Sequence, residues 1–368
     1  MTQTQSEWMD GKRVAKILGF LAVLFTMIPW IAADYWWIRM FDFPHLQLTI
    51  LTAIMLVVFL LVFDFDDFRD YFLAGVLLLC FIYQGFKLFP YTAFAPLQMQ
   101  NASERYDTDV SLFTANVLQK NEEHHLLIEQ IDSLNADVML FTETDKTWQK
   151  VLSKAISSEY QYRVEYPLDN TYGMVMYSKL ELIEPSVQFL VSDSIPSIHT
   201  KLKLRNGEII QLFSIHPTPP MPQENPMSID RDAEMMKIAK LSRKSKLPVA
   251  VLGDFNDVAW SSSSKLFQRT SELLDPRIGR GFYSTFNAKS KIMRWPLDHV
   301  FVSNEFRFMK MMNTDDIGSD HFPMYVKFSF EPEKGSSQAV EPPTKAELER
   351  AEKEITQERN SDQESTKN

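Results

Sequence analysis

Cysteine is almost missing from this 368-residue chain: Cys80 stands alone, inside a hydrophobic run. A disulfide framework or a cysteine-based zinc site within one chain is thereby excluded. An excess of basic charge is missing too. With 38 Lys+Arg against 48 Asp+Glu the formal net charge is −10 at pH 7. That argues against a long, non-specific grip on nucleic acid, because neutralising phosphates needs a cationic surface; a local basic patch stays compatible with it. What is present is unevenly spread. The N-terminal quarter is densely apolar and the C-terminal end densely polar, so averages over the whole chain conceal both.

Three apolar stretches near the N-terminus, residues 17–33, 46–63 and 71–88, approach the ~20 residues that a helix needs to cross the hydrocarbon layer. Trp30, Tyr35, Trp36 and Trp37 gather at the end of the first, as in an interfacial belt. The first stretch also has the charged prelude of a signal peptide, but two more apolar runs follow at once, which favours a retained anchor. Lys12, Arg13 and Lys16 precede the first span, against Arg39 and Arg69 in the loops. The positive-inside rule then places the N-terminus in the cytoplasm and everything after Lys87 outside it.

The remaining divisions follow composition. Residues 1–89 read as a membrane anchor, 90–106 as a linker, 107–330 as a catalytic domain and 331–368 as a polar, largely disordered tail, with at most a fraying helix around 343–358 that has no core to bury. Within 107–330 strand-like runs such as DVSLFTANVL, ADVMLFTE, TYGMVMYS, IIQLFSIH, LPVAVLGDF, LDHVFVS and MYVKFSF are interspersed with helix-like ones, EEHHLLIEQIDSL and 230–242. Many strands with a few helices predict a mixed α/β sandwich.

Several of these runs end in, or open on, an abrupt polar residue: Asn116, Glu143, His216, Asp254 with Asn256, Asp298 with His299, and Asp320 with His321. One such residue is ordinary turn chemistry; six sets suggest side chains presented to a common cleft. The segments TANVL, FTET, SIHP, GDFND, PLDHVFVS and GSDHFP resemble, in order, the successive motifs of the endonuclease/exonuclease/phosphatase family with its DNase I-like fold. The resemblance spans residues 107–328, with GMVMYSK and GFYSTF as supporting echoes.

It implies a four-layered α/β sandwich, preceded here by a bundle of about three transmembrane helices. It further implies a phosphoester (phosphodiester) hydrolase dependent on Mg²⁺ or Mn²⁺. By that resemblance Glu143 is the principal metal ligand, with Asn116 and Asp320 completing an oxygen-rich site. His321 is the general base, oriented by Asp298. Asp254 positions the attacking water or helps deprotonate it, Asn256 donates to a phosphoryl oxygen, and His216 stabilises charge on the phosphate or assists the leaving group. Thr142 departs from the glutamine that the family commonly has before its acid.

Other residues read as structural: His299 in the core, Asp257 in a turn, and Arg231 on the surface. His45, His124, His125 and His199 are expected in solvent, while Arg294 and Trp295 divide evenly between structure and substrate contact. The family motifs do not choose the substrate. The expected partners are a lipid bilayer and a phosphoester: a lipid headgroup, a nucleic acid or a small phosphodiester. The segment from Glu159 to His216 has no basic, aromatic-interleaved loop to clamp DNA. The alternatives are a tethered or exported nuclease acting on DNA and a non-catalytic headgroup-binding scaffold. The compact anchor suggests a bacterial inner membrane, with the catalytic domain extracytoplasmic.

Overall fold

A computed structural model describes residues 3–31, 33–103 and 108–365. Ala32 in the first expected span, residues 104–107 at the expected linker boundary, and residues 366–368 of the expected tail lie outside the described residues.

The elements, in chain order, are α1 Gln3–Met27, α2 Trp36–Arg39, α3 His45–Leu61, α4 Phe68–Leu88, β1 Asp109–Asn116, α5 His124–Leu134, β2 Val138–Thr142, α6 Lys146–Ala155, β3 Tyr162–Tyr166 and β4 Met174–Ser178. They continue with β5 Leu182–Gln188, β6 Ser197–Lys203, β7 Ile209–Ile215, α7 Ile229–Lys244, β8 Val249–Asp254, α8 Ser262–Ser271, β9 Asp298–Val302, β10 Phe306–Asn313, β11 Met324–Phe330 and α9 Lys345–Ser365.

Two sheets form, in the orders β10-β11-β1-β2-β4-β3 and β5-β6-β7-β8-β9. Their central strands are apolar on both faces, as buried parallel neighbours must be. In β1, Val110 and Leu112 turn toward the second sheet, where they meet Leu212, Leu252 and Val300. Phe113 and Ala115, one residue out of phase, pack with Leu127 of α5 and Trp148 of α6. The same alternation in β8 sends Ala250 and Leu252 inward and Val249 and Val251 toward Met235 of α7 and Phe267 of α8. The result is helix, sheet, sheet, helix: the expected four layers. Local signals fix the helix ends. The Asp145 side chain accepts from Trp148 N at the start of α6, Ser261 accepts from Ser264 N at the start of α8, and Asn135 closes α5 in the left-handed conformation.

The N-terminal helices pack as a bundle. Gln84 Nε2 donates to Thr26 Oγ1 at 2.6 Å and Thr52 Oγ1 at 3.1 Å in its interior, a polar link of the kind that joins apolar helices. Two helices, Asp10–Trp30 and Phe68–Tyr91, are long and apolar enough to cross a membrane. A third qualifies if Trp36–Asp42 and His45–Leu61, bent by 67°, count as one span.

Several expectations change in the folded chain. Residues 90–103 do not hang free as a linker. Tyr91 OH donates to Ala259 O at 2.6 Å, Met99 enters the inter-sheet core, and Ala102 N donates to Phe308 O at 2.8 Å, extending the edge beside β10. The polar tail contains α9, whose Ala351 and Ile355 complete the core over α7 and α8. So few apolar residues among many charges left no visible stripe in the sequence. His45 is fully buried at the head of α3, and His199 is half-buried against Phe213. Arg231, expected at the surface, is buried: it pairs with Asp232 at 2.9 Å and Asp257 at 3.4 Å and donates to Asn256 O at 3.0 Å. A charge can be buried there because each of its faces meets a carboxylate or carbonyl.

Candidate active site

Strand direction alone brings the polar ends together. β1 and β2 run parallel in register Asn116↔Thr142, so Asn116 and the next residue of the second strand, Glu143, sit side by side. β7 and β8 run parallel with Ile215↔Gly253, which sets His216 beside Asp254. β9 is antiparallel to β8 in register Asp254↔Asp298, and β11 is antiparallel to β1 with Thr114↔Met324, so Asp298 and His321 enter at that same end. Two glycines let backbones approach here. A Cβ on Gly253 (φ +142°) would lie 2.0 Å from Ile215 O, and one on Gly173 would lie 1.9 Å from Thr144 O, next to Glu143.

The contacts are short. Asn116 Nδ2 donates to Glu143 Oε1 at 2.8 Å and to Asp254 Oδ2 at 3.0 Å, bridging the two sheets. His321 Nδ1 is 2.8 Å from Asp298 Oδ2, while its Nε2 faces Asp254 Oδ2 at 3.5 Å. His216 Nε2 approaches the same oxygen from another side, at 3.8 Å. Asn256 N donates to Asp254 Oδ1 at 2.9 Å, and Asn256 Nδ2 to Pro217 O at 2.9 Å, which leaves the second amide hydrogen for another acceptor. His321 and His216 are only 4% and 3% exposed, so the cleft floor is screened from bulk water.

Charges in this setting control one another. Burial opposes a charge on His321, but the carboxylates of Asp254 and Asp298 outweigh it and raise the imidazole to about 10. Burial likewise disfavours the Asp254 carboxylate, yet His321, His216 and Asn116 hold it below its ordinary value. Asp298 stands above its ordinary value, chiefly through burial and then through repulsion from Asp254. Glu143 is also raised, first by burial and further by Asp320, against the pull of His216 and Asn116.

Glu143 and Asp320, close enough that the charge of one raises the other, bring carboxylate oxygens to this end of the sheets, a donor chemistry that suits a hard divalent cation. Asn116 differs from expectation in one respect. Its Oδ1 accepts from Leu118 N at 3.0 Å, so its nitrogen, not its oxygen, faces the carboxylates; to serve a cation the amide must turn over. Asp254, Asp298 and His321 offer ligand atoms within 4.8 Å of one another, but the imidazole Nδ1 and one Asp298 oxygen are already taken up with each other at 2.8 Å. A second acidic group, Asp34, Asp232 and Glu354, is occupied by arginines: Asp34 and Asp232 each lie 2.9 Å from Arg39 or Arg231.

The family model described as Endonuclease/Exonuclease/phosphatase family matches residues 113–321, more than half of the chain. The chain belongs to that family. Among solved structures of similar fold are D. rerio TDP2 complexed with single-strand DNA product and a Bacteroides thetaiotaomicron endonuclease/exonuclease/phosphatase family protein. Each has a TM-score of 0.51 and 16% identity and is covered over 100% of its length, by 61% and 62% of this chain respectively. At that identity they share its fold. No curated protein is similar enough in sequence to match. Membership brings the plain conclusion that the chain has the fold of a phosphoester hydrolase family whose enzymes use divalent metals.

Sequence reasoning missed the supports of this site. Thr285 Oγ1 accepts from Asp298 N at 3.2 Å, and the Ser319 hydroxyl donates to Asn116 O at 2.8 Å while accepting from His321 N at 3.0 Å. Thr285 lies within GFYSTF and Ser319 within GSDHFP, so both stood inside quoted motifs. Tyr172 packs beside His216 with ring centroids 5.4 Å apart and donates its OH to Glu224 at 3.0 Å. Trp295 stacks on Phe286, whose ring in turn lies 5.0 Å from His321. Asp257 is more than a turn residue, accepting from the Ser261 and Ser264 hydroxyls, and His299 is structural, held between Arg277 and Asp257 O.

Proposed function

We propose that the chain is a membrane-anchored, divalent-metal-dependent phosphoester hydrolase, with phosphodiesters as its substrates. The observation that carries this reading is the His321 imidazole held between Asp298 and Asp254, beside Glu143. Hydrolysis forms one P–O bond from water and breaks another to the leaving alkoxide, moving one proton off the water and one onto the alkoxide. Asp298 fixes the ring through Nδ1. Because Asp254 and Asp298 raise the imidazole, Nε2 takes the proton of a water seated against Asp254 in the fraction of molecules whose His321 is neutral, so the rate should rise with pH. His216, on the opposite side of Asp254, is positioned for the leaving oxygen, and the free Asn256 amide hydrogen for a phosphoryl oxygen. Glu143 and Asp320, with Asn116 after its amide turns, would hold Mg²⁺ or Mn²⁺. That ion would supply positive charge to the phosphoryl oxygens.

The apolar helices support an integral membrane protein. The Lys12–Arg13–Lys16 cluster supports a cytoplasmic N-terminus with the hydrolase domain on the outer side, in a bacterial inner membrane. Full-length protein in detergent should cleave bis(p-nitrophenyl) phosphate with Mg²⁺ or Mn²⁺ and stop with EDTA. Glu143→Gln should raise the metal concentration needed for half-maximal rate by about tenfold or more. Undiminished turnover in EDTA would remove the metal-dependent reading.

A further inference from the structure

The segment 287–295 belongs at once to the wall of the active site and to the helical bundle. On one side Phe286 contacts His321, and Ala288 N donates to Asp320 O at 2.7 Å. On the other, Gln47 Nε2 in the first turn of α3 donates to Ile292 O at 2.7 Å, and Trp295 packs edge-on against Phe43 with centroids 5.7 Å apart. Gln47 opens an apolar helix whose outer face leaves Ile50 and Ile54 exposed.

At the tip of the segment Ile292 is 75% and Met293 42% exposed, and Lys289 and Lys291 beside them are exposed as well. A single exposed apolar residue is ordinary. Two in succession, flanked by lysines and hydrogen-bonded to the end of an apolar helix, continue that helix's lipid-facing surface. Trp30, Tyr35 and Trp37, exposed around the neighbouring α1–α2 turn, supply the aromatic belt expected at the same level.

We infer that segment 287–295 is a lipid-surface contact. Ile292 and Met293 enter the headgroup layer of the leaflet in which α3 begins, and Lys291 faces anionic headgroups, while Lys289 Nζ is held on Gly318 O at 2.9 Å. The substrate class is then a phosphoester carried by a membrane lipid, presented to His321 across Phe286. The substrate half of this inference rests on the hydrolase reading; the position of the segment does not.

Two measurements separate them. Full-length protein carrying Cys80→Ala with Ile292→Cys, labelled with a fluorophore, is reconstituted into phosphatidylcholine–phosphatidylglycerol vesicles. Lipids with a nitroxide near the top of the acyl chain should quench this label about threefold or more beyond one at Asn206→Cys, in the β6–β7 turn at the far end of the strands. Equal quenching of the two labels overturns the contact, whatever the enzyme does. In the second measurement, Ile292→Glu with Met293→Glu should slow cleavage of vesicle-borne hexadecyl p-nitrophenyl phosphate by about tenfold. The soluble bis(p-nitrophenyl) ester should be cleaved within about twofold of the unmodified rate. A variant that treats both esters as the parent does overturns the substrate assignment. No cleavage of either ester by the parent would instead remove the hydrolase reading, with the quenching result still standing.

Discussion

Replacing Asp298 by Asn tests the proton-handling array with the least change of shape. In the parent, Oδ2 accepts from His321 Nδ1 at 2.8 Å, while Oδ1 is buried without a hydrogen-bond partner. The amide has two ways to fit. With its oxygen toward Nδ1, the NH₂ group falls where Oδ1 was, beside the Thr285 hydroxyl, which must reorient to receive it; a donor left unpaired there would cost ~1–3 kcal/mol. With its nitrogen toward Nδ1, the ring must carry its proton on Nε2, and the pair with Asp254 can no longer take one from water. Either way the imidazolium loses one of its two supporting carboxylates, so its pKa falls.

By analogy with other carboxylate-oriented histidines, kcat should drop by ~10²–10⁴, which is about 3–5 kcal/mol of transition-state stabilisation. KM should stay within about threefold, because Asp298 is buried beneath His321 and does not reach substrate. The fold should survive, since His321 keeps Asp254 and the loss is bounded by one charged hydrogen bond, ~1.5–3 kcal/mol. Initial rates with bis(p-nitrophenyl) phosphate, paired with a thermal melt of the same detergent-solubilised sample, read both quantities. A folded variant with kcat within about threefold of the parent would refute the role given to the Asp298–His321 bond.

Two further expectations concern stability. Despite burial, the Glu331 carboxyl is held down to about 2 from 4.5 by Lys334 at 2.8 Å and by Ser103, which donates from its N at 2.9 Å and its hydroxyl at 2.6 Å. A depressed carboxyl stabilises fully above its unfolded value and loses that contribution as pH falls from about 4.5 toward 2, at most ~3 kcal/mol. The melting gap between the parent and Glu331→Gln should therefore be widest near pH 6 and narrow below pH 4; a pH-independent gap would contradict it. Ile355→Ala should cost ~2–4 kcal/mol, because Ile355 seals the core between α7 and α8. Limited proteolysis should then cut first in residues 331–345; a cleavage pattern like the parent's would show that α9 contributes little.

The β-sandwich and the polar cleft were legible because both follow from period-two alternation and from where it breaks. Once Val110, Leu112 and Phe113 are sorted by face, strand direction carries Asn116 to Glu143 and Asp254 to Asp298 with no further information. What could not be read were interactions between distant segments. Arg231 carries an ordinary surface charge until Asp232 and Asp257 surround it. His45 shows no local sign of burial, and α9 presents too few apolar residues for its periodicity to stand out. The docking of residues 90–103 escaped notice because its contacts join positions far apart in the chain, Tyr91 with Ala259 and Ala102 with Phe308. The seat of Gln47 against Ile292 is of the same kind.

The Asn116 bridge places Glu143 at the tip of one sheet and Asp254 at the tip of the other, so the working distance between them is set by how the two sheets lie. Nothing covalent near the cleft holds that spacing; it comes from side chains such as Leu140 and Leu252, deep between the layers. A slip of one ångström along that seam would leave every strand intact and yet cost on the order of a hundredfold in rate. On the hydrolase reading, turnover is thus a finer gauge of sheet-to-sheet alignment than melting temperature.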